Sequence, residues 1–193
     1  PSIRERCRFY TGVDLAVQQH AAADLSSICT LAVYPDGLRE IVGFESGRWP
    51  GLDILKRIGT VHRRWNSLVV IENVGSQDFI RQFSAEIENV PTLPFTTGPG
   101  KASLEFQAEG LGAEIANHRW IIPCGVAKED MNPEIMEWLT ALLFYNPSAH
   151  TPDRMAASLF ARHAAVMGDP QQAGDNPLRC RLVGRTGGGS VWG

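Results

Sequence analysis

Cysteines at metal-ligand spacing are missing from this sequence. Cys7, Cys29, Cys124 and Cys180 are scattered with no Cys-x-x-Cys, which argues against a zinc site or a disulfide framework and leaves buried or idle thiols. Long apolar runs are missing as well: none approaches the ~18 residues that cross a bilayer, and no basic-then-apolar leader opens the chain. No membrane partner is therefore expected, and a cytoplasmic location follows by default. Basic excess is also lacking. A net charge of −3 gives no global electrostatic argument for nucleic acid, so a DNA partner would need local basic surface. Finally, no Gly-x-x-x-x-Gly-Lys-Ser/Thr phosphate loop occurs. The stretch Gly98-Pro99-Gly100-Lys101-Ala102-Ser103 is too short and wrongly spaced, and ATP hydrolysis cannot be assigned to these residues.

What is present is enough apolar material, 44% of 193 residues, to bury one substantial core. The charged start Pro1-Ser2-Ile3-Arg4-Glu5-Arg6, without an initiator Met, reads as a linker remnant over residues 1–7, cut from a longer parent. One domain is expected over 8–167. From 168 to 193 the composition shifts to Gly, Pro, Gln and Asp with a small Arg179, Arg181 and Arg185 cluster, the signature of a mobile tail.

The most informative stretch is Phe9-Tyr10-Thr11-Gly12-Val13-Asp14-Leu15-Ala16, an apolar strand carrying one carboxylate. Either Asp14 ends the strand and caps a turn, or it meets a cation, because an unpaired ionised carboxylate is costly to bury. A second strand, Leu68-Val69-Val70-Ile71-Glu72-Asn73, also ends in an acid, and two such strands suggest a shared metal site. Between them, Ser26–Tyr34 and Leu38–Phe44 flank the Pro35-Asp36-Gly37 turn, giving an antiparallel meander of three strands. Asp24, in the preceding loop, either approaches the Asp14 end or solvates the loop. Gly51–Trp65 follows as a helix whose Lys56, Arg57, Arg63 and Arg64 form either a solvated face or a DNA-backbone contact.

Further along, Phe79, Ile80, Phe83 and Ile87 form a helical stripe, and Pro94 confines the strand Pro91–Thr97 to a sheet edge. Lys101, on the loop before a helix capped by Ser103, either reaches a phosphate or is an exposed lysine. Arg119–Pro123 is a brief extended segment. The spacing of Ile135, Trp138, Leu139, Leu142 and Leu143 after Pro133 predicts a helix packed on the core. Asp153 opens a last helix with a small, apolar body that should lie close against a sheet. An acid in that first turn commonly just complements the macrodipole.

The order of elements resembles the ribonuclease H-like fold, an α/β architecture with a mixed central sheet of five or more strands, an antiparallel meander and then parallel strands, flanked by helices. Four motifs, spanning roughly Arg8 to Ala165, resemble the nuclease domain of the large terminase subunit of tailed bacteriophages. They are Thr11-Gly12-Val13-Asp14-Leu15-Ala16 followed by Asp24, Val69-Val70-Ile71-Glu72-Asn73-Val74-Gly75, the Gly100-Lys101 loop, and His150-Thr151-Pro152-Asp153-Arg154-Met155-Ala156-Ala157-Ser158. The resemblance implies that the first and fourth strands are neighbours and that Asp14, Glu72 and Asp153 meet to hold two divalent cations, Mg²⁺ or Mn²⁺. It further implies an endonuclease acting on double-stranded DNA during viral genome packaging in the host cytoplasm. The partners would be an ATPase domain of the same parent chain, a small terminase subunit and a portal ring. Asp24 and Lys101 would be auxiliary. One departure stands out: many relatives carry an additional acid before the last helix, and here the residue three before Asp153 is His150. That imidazole either binds a metal, which would favour Mn²⁺, acts as a proton shuttle or phosphate donor, or only caps the turn. The rival readings are another nuclease of this fold, such as a Holliday-junction resolvase or transposase core, and a non-catalytic motor-docking domain.

Overall fold

The computed structural model describes residues 2–15, 25–72, 89–98, 103–124 and 130–168. A single helical turn, α1 (Ile3–Arg6), leads into β1 (Arg8–Asp14), β2 (Ser26–Val33) and β3 (Arg39–Gly47). Then come α2 (Gly51–Trp65), β4 (Leu68–Glu72), β5 (Thr92–Phe95), α3 (Leu104–Ala116), the two-residue β6 (Trp120–Ile121), α4 (Pro133–Leu143) and α5 (Asp153–Met167). The helix expected around Phe79–Ile87, the loops holding Asp24 and Lys101, and the tail beyond residue 168 lie outside the described residues.

Six strands form one sheet in the order β5-β4-β1-β2-β3-β6. The first three make the expected meander, turned at Gly37 with φ +81° and closed by the Gly37 amide donating to Tyr34 O at 2.9 Å. β4 joins β1 in parallel, β5 joins β4 in parallel, and β6 pairs in parallel with β3. The ribonuclease H-like arrangement read from the order of elements is thus the one found, with Pro94 on the edge strand. Among the described residues no helix is long and apolar enough to cross a membrane.

Strand alternation sorts the side chains into two layers. Val13, Ile28, Val69 and Ile71 face α2, where they pack with Ile54 and Ile58. Tyr10 and Val70 face the other way, onto Ala156, Phe160 and Ala164 of α5. The alanines let α5 approach so closely that a Cβ on Gly12 would stand 2.0 Å from Ala157 O and 2.4 Å from Ala161 N. Gly12 is therefore required by the helix, whatever its own backbone angles.

On the same side, α4 buries Ile135 and Trp138, and the Trp138 indole N–H donates to Ser158 Oγ at 2.9 Å. Leu143 does not join this core as its place in the apolar series suggests; it is 79% exposed. At about 100° per residue, Leu142 sits roughly 20° from the Ile135 direction and Leu143 roughly 80° from it, so the stripe rotates off the core at its last member. α3, capped by Ser103 Oγ accepting from the Phe106 amide, is tied in by one carboxylate. Glu114 accepts from Arg162 Nη2 at 2.8 Å and from the Trp120 indole at 2.9 Å, and lies 3.6 Å from Arg39 Nη1.

The thiols match their sequence reading in part: Cys29 is fully buried, Cys7 half-buried and Cys124 exposed, all unpaired with one another. His163 of α5 is half-buried, edge-on to Phe95 at 4.8 Å and 3.4 Å from Gln107 Nε2. Burial, then the neighbouring Arg162 charge, holds its pKa below the ordinary histidine value of 6.5. Protonation therefore favours the unfolded chain. Stability from this group is fully present above pH 6.5 and is lost as the pH falls from there through the lower folded value. The slope of unfolding free energy against pH in that window should lose up to one proton's worth in His163→Gln, which thermal melts at stepped pH would measure.

Candidate active site

The backbone brings Asp14 and Glu72 together. β1 and β4 run in parallel with Val13 opposite Ile71 as their last pair, so Asp14 and Glu72 come next, side by side at the carboxyl ends of adjacent strands. Each has the parity of a residue on the α5 side, Gly12 and Val70 respectively, so both leave the sheet on that face.

α5 supplies the third acid. It runs antiparallel to β1: its C-terminal neighbour Gly168 lies at Tyr10 and accepts from Arg8 Nη1 at 3.1 Å, while Ala157 and Ala161 lie on Gly12. Asp153, one turn before Ala157, therefore stands at the level of Asp14. Its Oδ2 accepts from the Leu25 amide at 2.8 Å, and Leu25 immediately precedes the Ser26-Ser27 pair whose second member lies opposite Asp14. Three carboxylates separated by 58 and then 81 positions of chain thus occupy one end and one face of the sheet.

Protein donors to Glu72 and Asp153 are seen directly. Glu72 Oε1 accepts from Thr97 Oγ1 at 2.6 Å, and Thr97 lies two residues beyond β5. Asp153 sits at the first position of a 15-residue helix, where a negative side chain complements the positive dipole end, and accepts from the Leu25 amide. His150, 79% exposed at the side chain, places Nε2 3.9 Å from Asp153 Oδ1. Among the described residues no three His, Cys, Asp or Glu side chains stand close enough together to hold a metal ion as they are oriented. The donor set, three carboxylates with one imidazole beside them at the carboxyl ends of the central strands, fits an oxygen-preferring divalent cation in chemistry and in backbone placement. Closing it round an ion would require the side chains to turn inward. Asp24 and Lys101 fall outside the described residues.

Thr97 and the Leu25 amide are the two contributors that sequence reasoning did not find. A threonine in a short extended segment and a backbone N–H carry no motif. Thr97→Val removes the donor to Glu72 while keeping the shape. If Glu72 serves as proposed below, the divalent-ion concentration for half-maximal activity should rise about 3- to 10-fold, the net worth of one solvent-exposed hydrogen bond, with Thr97→Ser restoring it. Metal titrations of both variants decide.

The basic side of α2 is largely spoken for: Arg57 pairs with Glu45 and lies over the Trp49 ring at 4.2 Å, and Lys56 is 4.0 Å from Asp53. Those pairings favour the solvated-face reading for these two residues.

No family model matches the sequence, and no curated protein matches it. Solved structures do. The large terminase nuclease of the thermophilic phage G20c, determined with bound zinc, superposes with a TM-score of 0.61 at 15% identity, covering 81% of each chain. The nuclease domain of the g2p large terminase of bacteriophage SPP1, with bound Mn, matches at a TM-score of 0.53 and 12% identity over 86% of this chain and 88% of that one. The HK97 bacteriophage large terminase matches at 0.54 and 12% identity over 82% of this chain, which spans 39% of the terminase. The fold is that of large terminase nucleases.

Proposed function

We propose that this chain is a divalent-cation-dependent endonuclease that hydrolyses double-stranded DNA with little sequence preference during viral genome packaging. The observation that carries the reading is the placement of Asp14, Glu72 and Asp153, remote in sequence, at one end and on one face of a ribonuclease H-like sheet. Residues 8–167 form the nuclease domain, 1–7 a linker and 168–193 a tail. The match to only 39% of the HK97 large terminase supports a parent chain that also bears an ATPase domain, with a small terminase subunit and a portal ring as further partners in the host cytoplasm.

The three acids would hold the ions, two in number, and their oxygen-only character suits Mg²⁺ or Mn²⁺; His150, if it joins them, favours Mn²⁺. When bound, such a pair supplies an activated water and a charge that steadies the leaving oxygen of a phosphodiester. The chain's own residues do the rest. The strand ends fix Asp14 and Glu72 relative to each other, Thr97 orients Glu72, and the Leu25 amide holds Asp153 aimed at the same end. His150, exposed beside Asp153, is placed to hand a proton to a phosphate oxygen at the rim. Asp24 and Lys101 remain auxiliary candidates in this scheme.

The test is cleavage of supercoiled plasmid, linear duplex and a four-way junction by the purified chain in Mn²⁺ and in Mg²⁺, with Asp153→Asn as control. Nicking and linearisation without preference for the junction, lost in the control, is the expected result. Paired cuts confined to the junction would move the assignment to a resolvase of the same fold. No cutting of any substrate, together with no Mn²⁺ binding by calorimetry, would leave only a non-catalytic docking domain.

A further inference from the structure

The opposite end of the sheet carries a second concave feature. A pocket of about 360 Å³ lies at the start of β1, lined among others by Arg4, Arg8, Phe9, Trp65 and Asn66. At ~3.3 Å per residue, the length of β1 puts it roughly 20 Å from Asp14, too far to belong to the carboxylate site. No acid lines it.

Trp65, the last residue of α2, organises the charges around it. Phe9 stacks on its ring at 5.1 Å with 28° between the planes. The guanidinium carbons of Arg4 and Arg64 lie 5.6 and 5.0 Å from its centre. Arg8 is anchored at the same place by its bond to Gly168 O. Arg4 of α1 and Arg8 of β1 therefore line one pocket, with Arg64 of α2 beside its Trp65 wall, and among the described residues none of the three forms an ion pair with a carboxylate. Glu5, the acid nearest in sequence, has its carboxylate turned back to accept from the Ser2 amide. Like charges gathered without a counter-charge are relieved by an anion, and guanidinium groups match a phosphate's oxygens in geometry as well as charge. Because Phe9 already occupies the Trp65 ring, stacking of a base is secondary, and the volume lies at the lower end of the range for small ligands.

We propose that this pocket binds a phosphate monoester through Arg4 and Arg8, with Arg64 adding charge at its rim beside Trp65, independently of the carboxylate end of the sheet. Two sources share that chemistry, a free nucleotide and the phosphorylated end of a DNA strand. The experiment is calorimetry on the full chain in EDTA at low salt, so that no divalent ion contributes. The probes are dAMP, adenosine, and one short blunt duplex with and without 5′ phosphates. Arg4→Gln and Arg64→Gln alter exposed side chains, and circular dichroism of the double variant checks the fold.

Binding of dAMP but not adenosine, weakened about tenfold or more in the double variant, is the expected result and identifies the free nucleotide as one source. Binding of the 5′-phosphorylated duplex alone, with the same sensitivity, also supports the site and assigns it to DNA ends. Equal binding of adenosine and dAMP, equal binding of both duplexes without any response to dAMP, an unaffected double variant, or no binding of any probe would overturn it.

Discussion

Asp14→Asn is expected to abolish Mn²⁺-dependent nicking of plasmid while leaving the chain folded. Asparagine keeps the shape and one acceptor but removes the charge between β1 and β4, where a divalent cation would need it most. Losing one charged ligand from a site whose ions supply several kcal/mol of transition-state stabilisation costs about 4 kcal/mol, roughly a thousandfold in rate. The fold should survive, because asparagine keeps the size of the side chain and one of its acceptor oxygens. Asp14 and Glu72 end adjacent parallel strands, and removing one of two neighbouring carboxylates lowers their mutual repulsion. Plasmid nicking, Mn²⁺ calorimetry and a thermal melt on the same preparation check all three. Cleavage at the wild-type rate would refute the role of Asp14, whatever the melt shows.

Gly12→Val should be the most damaging single change to the fold. Its Cβ would begin 2.0 Å from the Ala157 carbonyl and 2.4 Å from the Ala161 amide, both backbone atoms of α5 that no rotamer change can clear. Overpacking a well-filled core costs about 1–3 kcal/mol when side chains can shift, and more when a helix must. Alanine at this position is expected to cost about 3 kcal/mol and valine more, a large part of the 5–15 kcal/mol that ordinary domains possess. Denaturant unfolding of the alanine variant measures the first figure. In any alanine variant that folds, α5 is displaced from β1 and Asp153 moves with it, so cleavage should fall further than the loss of folded protein explains.

The layout was legible in the sequence wherever periodicity is strong. The unbroken apolar run Leu68–Ile71, the Asp36-Gly37 turn and the alanine-rich helix after Asp153 each state their element and their burial, and the adjacency of the first and fourth strands followed from the resemblance those elements carry. Asp14 and Glu72 were legible because a charge closing an apolar strand is conspicuous, whereas Asp153, in the first turn of a helix, was legible only through the resemblance. What supports them was not: the Thr97 hydroxyl and the Leu25 amide act across 25 and 128 positions of chain, and a hydroxyl or a peptide N–H looks alike in every loop. Leu143 misled for a simpler reason, since counting apolar positions at i+7 and i+8 ignores the angle that accumulates between them. The pocket at Trp65 was invisible because Arg4 and Arg8 that line it, and Arg64 beside it, come from three separate elements, the last of them remote in the chain from the other two.

Glu114 contacts Arg162, Arg39 and Trp120 with two oxygens, so its loss would take from two buried guanidinium groups a carboxylate that they share. Such a trio can drift only as a unit. Across divergent homologues, positions 39, 114 and 162 should be inherited jointly, either kept as arginine, glutamate and arginine or exchanged wholesale for apolar residues, and chimeras mixing the two versions should fold worse than either parent.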